Sequence, residues 1–302
     1  MKNELLLSIC IPTYNRPYLI RDLLNSVISK KVDPKYYEIC ISDDSTNDDT
    51  EKIVNEFLDL NNNINIVYRH IEPLDSYMNI LNSLKMGKGK YLKLVSDYCY
   101  FLENTLSDMI EKIKKYNVSK PLIFWLDKSE DDFDVVESFR DLNDFIVNNK
   151  IMITWAKCFG IWKQDFDKAI LNAEIDSMFP HLSLLLEVGK DKTSYLNIPN
   201  KIFDSKDLNA KGGYSIPKVF GNGLYSILIK LKDENIITKK TLLIFKVDII
   251  KFLAYWKAVC KKKENFFYDY SDDYRIVFEQ FGLLWCMCYC IFFWGYNFKG
   301  DL

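Results

Sequence analysis

Asp97 stands at the end of the apolar run Tyr91–Val95, within Ser96-Asp97-Tyr98-Cys99. A strand that stops on a carboxylate puts that charge at the rim of a sheet, and open α/β sheets bind ligands beyond the carboxyl ends of their strands. A second set of acids, Asp43-Asp44, follows the run Tyr37–Ser42 and leads into Ser45-Thr46. A carboxylate there can accept a hydrogen bond from a base N–H or a ribose hydroxyl. The plain alternative is an acidic cap for the following helix. Pro12-Thr13-Tyr14-Asn15-Arg16 closes the first apolar run. Tyr14 offers a ring to a base and Thr13 a hydroxyl, although the same residues also make a rigid turn.

The elements that must position these residues are legible in the spacing. Leu5–Ile11 is a continuous apolar run, the signature of a strand buried on both faces. Leu19, Ile20, Leu23, Leu24, Val27 and Ile28 follow at helical spacing, and Asp33-Pro34 ends that helix. Tyr37–Ser42 is the second strand. Ile53, Val54, Phe57 and Leu58 mark the second helix and Ile64–His70 the third strand. Ser76–Met86 is a short helix closed by Gly87 and Gly89 as C-cap residues, and Tyr91–Ser96 is the fourth strand. Strands alternating with helices in this way predict an α/β fold, a doubly wound, mostly parallel sheet flanked by helices that carries a nucleotide-binding half. Beyond Leu102 the pattern loosens. Leu106–Tyr116 reads as a helix, Pro121–Leu126 as a strand and Asp127–Asp134 as an acidic loop. Ile151–Trp162 is rich in β-formers, Phe179–Val188 and Val219–Leu231 read as helices, and Asn209–Tyr214 as a Gly-containing loop.

Composition narrows the classes. A chain of 302 residues that is 48% hydrophobic has material for a large core. A net charge of −2 exerts no pull toward nucleic acid. Eight Cys without a CxxC pair, and only two His, argue against zinc and for reduced cytosolic thiols. The N-terminal apolar run is broken too soon by Pro12 for a signal peptide, so export is not expected.

LLLSICIPTYNRPYLIRDLLNSV followed by YEICISDDSTNDDT resembles the amino-terminal half of family 2 glycosyltransferases, inverting enzymes of GT-A fold. Asn79, Gly89-Lys90-Tyr91 and the strand into Asp97 continue the match over about the first 100 residues. The resemblance implies that Pro12, Thr13, Tyr14, Asn15, Arg16, Asp43, Asp44 and Ser96 border the nucleotide of a sugar donor, with Asp43 the best candidate for the base. It implies that Asp97 meets the diphosphate and a divalent metal, Mg²⁺ or Mn²⁺. The family's further acids are replaced here by Tyr98 and Cys99, and Glu103 is a distant substitute. Three readings stay open: Asp97 alone holds the metal, a basic side chain replaces it, or catalysis is lost and binding kept.

The resemblance also implies a carboxylate base near a helix start well beyond the acid motif. Asp176, 79 residues after Asp97, fits, with Glu174 its rival and His181 a further candidate for touching acceptor or diphosphate. An acid capping the helix through Leu182–Leu186, and a buried His, are the structural alternatives. The implied activity is transfer of a sugar from a nucleotide-sugar donor, a UDP-sugar on family frequency, to a glycan or lipid-linked acceptor. The implied setting is bacterial surface-polysaccharide synthesis in the cytoplasm or at the inner face of the cell membrane. The competing expectation is a non-catalytic sugar-nucleotide-binding or assembly protein. A nucleotidyltransferase is disfavoured, because PTYNR is no glycine-rich phosphate loop.

The expected organisation is a glycosyltransferase domain over 1–235, with a nucleotide half 1–100 and an acceptor half 101–235, then a helical extension over 236–302. Lys239–Lys263 holds eight Lys and one acid, Asp248, and Phe281–Phe298 holds no charge. The second stretch packs on the catalytic domain, seats on a membrane surface, or spans the bilayer. Its Cys286, Cys288 and Cys290 read as small hydrophobes and not as a metal site.

Overall fold

The structure, a computed structural model, describes residues 4–74, 77–126, 136–199, 201–206 and 211–298. In chain order the elements are β1 (Leu7–Thr13), α1 (Pro17–Ser29), β2 (Tyr37–Asp43), α2 (Asp49–Leu60), β3 (Ile66–His70), α3 (Asn79–Met86) and β4 (Tyr91–Leu94). There follow β5 (Cys99–Phe101), α4 (Thr105–Tyr116), β6 (Leu122–Trp125), β7 (Glu137–Phe139), α5 (Leu142–Asn149), β8 (Gly160–Trp162), α6 (Lys163–Asn172), α7 (Pro180–Gly189), β9 (Tyr195–Ile198) and β10 (Phe203–Ser205). The chain closes with β11 (Lys211–Ser215), α8 (Tyr225–Asp233), α9 (Lys239–Lys262), β12 (Phe266–Asp269), α10 (Asp273–Phe281) and α11 (Leu283–Phe298). It divides into two compact units, Met1–Asp141 with Ile153–Asp207, and Leu142–Met152 with Leu208–Leu302. The stretch 208–235 therefore groups with the C-terminal helices, as does α5.

In the first unit the central sheet runs β3-β2-β1-β4-β8, parallel except for the edge strand β8. Ile9 and Ile11 of β1 and Ile39 and Ile41 of β2 are fully buried, as strands covered on both faces require. Ile20, Leu23, Leu24 and Val27 of α1 bury one helical face, and Ile53, Val54 and Phe57 do so for α2. Tyr91 anchors β4 to the next layer: its hydroxyl accepts from Trp125 Nε1 at 2.9 Å and its ring meets Trp162 edge-on.

Register sets the rim. Thr13 pairs with Asp43 and Asp43 with His70, so these strands end side by side. Cys10 pairs with Leu94, which brings Asp97, three residues on, level with Thr13, three residues beyond Cys10.

Several local expectations need correction. Ile151–Trp162 is mostly 3₁₀ turn and contributes only the short antiparallel β8. The Gly-containing loop expected at Asn209–Tyr214 lies partly outside the described residues, and its remainder is β11, paired in parallel with β12. Val219–Leu231 begins as a π-helix, Pro217–Leu224, before α8. The acidic stretch Asp127–Asp134 lies outside the described residues.

Gly87 follows α3 in extended conformation, so it is not a left-handed C-cap. The glycines are needed for close approach. A Cβ on Gly89 would lie 2.7 Å from the Leu7 carbonyl carbon and 2.7 Å from Ser8 N, and backbone cannot yield as a side chain can. Gly89 N also donates to Ser8 Oγ and to the buried Glu38 Oε1.

The second unit gathers around one buried ion pair. Asp273 of α10 holds Lys257 of α9, and Tyr289 OH of α11 donates to Asp273 Oδ2 at 2.5 Å. One carboxylate thus ties three helices. Gly282, at φ +86°, separates α10 from α11 within the uncharged stretch.

Gly89→Ala should destabilise the first unit by about 1–3 kcal/mol, the usual cost of overpacking. A fall in urea midpoint at unchanged slope would report it.

Candidate active site

Two loops at the carboxyl end of the sheet brace each other. Asn15, in the left-handed region at φ +51°, accepts at Oδ1 from Thr46 N at 3.0 Å, and its own N–H donates to Ser45 Oγ at 2.7 Å. Asp44 N donates to Thr13 O at 3.1 Å. The PTYNR turn and the DDST loop therefore form one rigid edge, from which Tyr14 stands half exposed.

The paired acids have different surroundings. Asp43 is fully buried and saturated: Oδ1 accepts from Ser45 N and Ser45 Oγ, and Oδ2 accepts from Tyr68 OH at 2.7 Å. Asp44 receives Asn79 Nδ2 at 2.7 Å on Oδ1 and Leu74 N at 3.4 Å on Oδ2. Burial lifts its carboxyl above the ordinary range, and these two donors pull partly against that. Tyr68 and Asn79 shape the acids. Sequence reading had Asn79 only as part of a motif and Tyr68 not at all.

Asp97 is 4% exposed, and both of its oxygens are held within the protein. Thr13 Oγ1 donates to Oδ2 at 3.0 Å, and Arg16 Nη1 pairs with Oδ1 at 3.1 Å. Burial raises its carboxyl, opposed by the Arg16 charge and the Thr13 hydroxyl. Arg16 keeps 44% of its side chain exposed. Ser96 is half-buried, and its carbonyl accepts from Cys99 N at 3.0 Å.

The residues that replace the expected acids face elsewhere. Tyr98 packs against the hydrophobic core, and Cys99 is buried on β5 with Sγ 3.7 Å from Ser205 Oγ. Glu103 is exposed and pairs with Lys30. Among the described residues no three His, Cys, Asp or Glu side chains group to hold a metal ion. Mg²⁺ at substrate sites rests on one or two carboxylates together with phosphate oxygens and water, and Asp97, the carboxylate placed for it, is already bonded at both oxygens by Thr13 and Arg16. Among the described residues the protein offers no preformed cage for a divalent ion.

Lys93, in the middle of the run that reads as apolar, is fully buried. Its Nζ donates to the carbonyls of Leu94, Lys157 and Phe159 at 3.0, 2.6 and 2.9 Å. It fastens the 157–159 turn to the strand that leads to Asp97. A lone Lys among strand residues was the available signal.

Asp176 is half-buried ahead of α7. Its Oδ1 accepts from Met178 N and Phe179 N, both at 2.9 Å, and its own N–H donates to Ser183 Oγ at 3.0 Å. Oδ2 has no hydrogen-bond partner among the described residues. Asp176 thus orders the turn that leads into α7 as an oriented carboxylate and does not cap the helix, whose N-cap position is Phe179, with no side-chain cap bond. Ser177 O accepts from Tyr77 N at 3.2 Å, which brings this segment beside α3 and Asn79. Glu174 is exposed. His181 sits inside, with Nε2 against Thr154 O at 2.8 Å and Nδ1 without a hydrogen-bond partner among the described residues. Burial lowers its pKa from 6.5 to about 4, so the ring is neutral near pH 7 and Nε2 donates to Thr154 O.

A mostly parallel central sheet flanked by helices, with two braced loops and a charge-paired acid at its rim, is an α/β fold of GT-A type. The Glycosyl transferase family 2 pattern matches residues 8–169, and the chain belongs to that family. Abequosyltransferase RfbV of Salmonella typhimurium is 28% identical over 211 residues, 61% of this chain and 61% of the relative. The match therefore spans less than two thirds of that relative. S. aureus TarS 1-349 in complex with UDP-GlcNAc superposes with a TM-score of 0.60 at 17% identity, covering 84% of this chain and 72% of TarS. Mannosyltransferase PcManGT from Pyrobaculum calidifontis, in complex with GDP-Man and Mn²⁺, gives 0.59 at 12% identity over 99% of this chain and 88% of that one. At these identities the two structures show the shared fold.

A His held neutral by burial contributes stability above its unfolded pKa and loses it as pH falls toward the folded value. Between pH 6.5 and about 4 this amounts to roughly 3 kcal/mol. His181→Gln keeps a donor for Thr154 O and should remove that part of the acid slope, read as the difference between the two proteins' denaturation free energies at pH 7 and pH 4.5.

Proposed function

We propose that this chain is an inverting glycosyltransferase that moves a sugar from a nucleotide-sugar donor, by preference a UDP-sugar, to a glycan or lipid-linked acceptor. Its setting is bacterial surface-polysaccharide synthesis at the cytoplasmic face of the membrane. The observation that carries this reading is the convergence of Tyr14, Asp44, Arg16 and Asp97 on one rim. Family membership and the named sugar transferases among its relatives support it.

The half-exposed Tyr14 ring lies against the base. Asp44, the less saturated of the two acids, accepts from the base or ribose, while Asp43 shapes the loop through Ser45 and Tyr68. Arg16 takes the charge of the diphosphate. A guanidinium carries five N–H donors in a fork that suits phosphate oxygens, and Asp97 engages one of its nitrogens. Asp97 with Thr13 orients Arg16, so the work of a metal falls to a fixed cation that needs no reorganisation as charge develops. Asp176 Oδ2 removes the acceptor proton. The acceptor oxygen attacks the anomeric carbon in line, the carbon–oxygen bond to the diphosphate breaks, and its electron pair leaves on the β-phosphate oxygen.

Tyr98 and Cys99 in place of acids favour one other reading, a protein that keeps donor binding without transfer. Calorimetry with UDP, with Mn²⁺ or with chelator, separates the two together with donor turnover. The expected result is UDP binding indifferent to Mn²⁺, weakened roughly tenfold or more by Arg16→Gln. Asp176→Asn should leave that binding intact and lower turnover by about 10²–10⁴-fold. Binding that requires Mn²⁺ would return the metal to Asp97. Binding without turnover of any nucleotide sugar would leave the non-catalytic reading.

A further inference from the structure

β8 runs antiparallel to β4, with Gly160 opposite Lys93 and Trp162 opposite Tyr91. The chain therefore enters β8 at the carboxyl end of β4, where Leu94 N donates to Phe159 O at 3.3 Å. Residues 154–159 thus lie on the same rim as Asp97, one strand further along a sheet ordered β3-β2-β1-β4-β8. At ordinary strand spacing that step is about 4.8 Å. Along the rim the paired acids end β2, Thr13 ends β1 and Asp97 follows β4. A donor with its nucleotide on the β1 and β2 loops and its diphosphate at Arg16 directs its far end toward 154–159.

Two buried polar side chains hold that turn. Lys93 gives its ammonium to the carbonyls of Lys157 and Phe159 as well as Leu94. His181 meets Thr154 O, and its ring meets Phe159 edge-on. Cys158 N closes the turn on Trp155 O at 2.9 Å. His181 belongs to α7, so the turn is tied to the helix whose entry Asp176 orders. What the turn presents is Trp155, 39% exposed. Lys157 Nζ lies 5.3 Å from its ring centroid, a cation–π contact that steadies the indole. Burial raises the Tyr98 and Cys99 side chains, and the Lys157 charge pulls against that in both, which keeps the turn close to Asp97. A large exposed ring on a fixed backbone is a preorganised contact.

We propose that Trp155 is the acceptor platform, its indole lying flat against the terminal pyranose of the glycan that receives the sugar. A pyranose presents an apolar face of C–H groups and a rim of hydroxyls. An indole offers a flat apolar surface with little rotamer freedom to lose. The transferred sugar hangs from the diphosphate at Arg16, so the ring beyond it, on the side tied to the Asp176 segment, belongs to the acceptor. This subsite rests on the donor and base assignments above and adds a substrate class to them: a pyranose-ended glycan, since an acyclic polyol has no such face.

The test uses the full chain labelled with 5-fluorotryptophan, the Trp155 fluorine resonance being the one that Trp155→Phe removes. UDP is added first, then the methyl glycosides of glucose, galactose, mannose and N-acetylglucosamine, or sorbitol. UDP should leave the resonance in place, and at least one glycoside should shift it saturably. By saturation-transfer NMR, Trp155→Ala should weaken that glycoside roughly tenfold or more, and Trp155→Phe should recover most of the loss. A resonance that moves with UDP alone puts the ring on the donor side and overturns the acceptor platform. A resonance indifferent to all four glycosides, with UDP binding intact by calorimetry, also overturns it and leaves the donor reading standing. An equal shift with sorbitol overturns the pyranose class. A glycoside shift in a chain that does not bind UDP leaves the sugar platform and overturns the UDP donor.

Discussion

Parallel pairing places Cys10 level with both Cys40 and Leu94, and from that register the rim follows. Three residues past the pair, Thr13 comes abreast of Asp97, and their 3.0 Å hydrogen bond closes the gap between adjacent strands after the ladder has ended. A one-residue slip would turn each strand's side chains to the other face, removing the hydroxyl from Asp97 and leaving a buried carboxylate with Arg16 alone. The apolar faces of α1 and α3 hold the register, and Gly89 permits it by letting its backbone approach β1 closely.

The amino-terminal half was legible because its strands are buried on both faces and its helices on one, which gives two distinct periods in the sequence. Its acids were legible for the same reason: each terminates an apolar run. What the sequence hid was which acid is spent on the fold. Asp43 and Asp44 are adjacent and chemically identical, and only the partners Tyr68 and Asn79, from a strand and a helix downstream, tell them apart. Lys93 was hidden by its stem, since four methylenes read as apolar while the ammonium finds three carbonyls. The second half was less legible because its strands have three to five residues, too few for a period to declare itself. The assignment of α5 to the second unit rests on long-range contacts that no local pattern encodes.

The replacement of an acidic cluster by one acid and one arginine has a simple electrostatic logic. Several carboxylates at one rim repel one another and need a divalent ion to coexist. A single buried carboxylate needs only one counter-charge, and Arg16 supplies it from the first residue before α1. Arg16 and Asp97 are neutral as a pair before any ligand arrives, so a dianionic diphosphate would be drawn chiefly to the unused guanidinium donors and to nearby lysines. Lys157 belongs to the turn that Lys93 fastens to β4, and its ammonium lies 5.3 Å from the Trp155 ring.

The second unit solves a different problem with similar means. A helix that is apolar all round belongs inside a core or in a membrane, and α11 is neither buried on all sides nor long enough to span. Its fixed side is specified by Tyr289, whose hydroxyl needs Asp273, which in turn needs Lys257. That chain of buried polar contacts sets the rotation of α11 about its axis, because turning the helix would take the Tyr289 hydroxyl from Asp273 and leave a buried donor without its acceptor, a change that costs about 1–3 kcal/mol. Packing among apolar side chains alone would tolerate many rotations. The buried ion pair and its Tyr289 partner therefore decide which side of α11 packs, with Tyr289 and Phe293 inward and Leu283, Leu284, Met287, Ile291, Trp294 and Phe298 exposed.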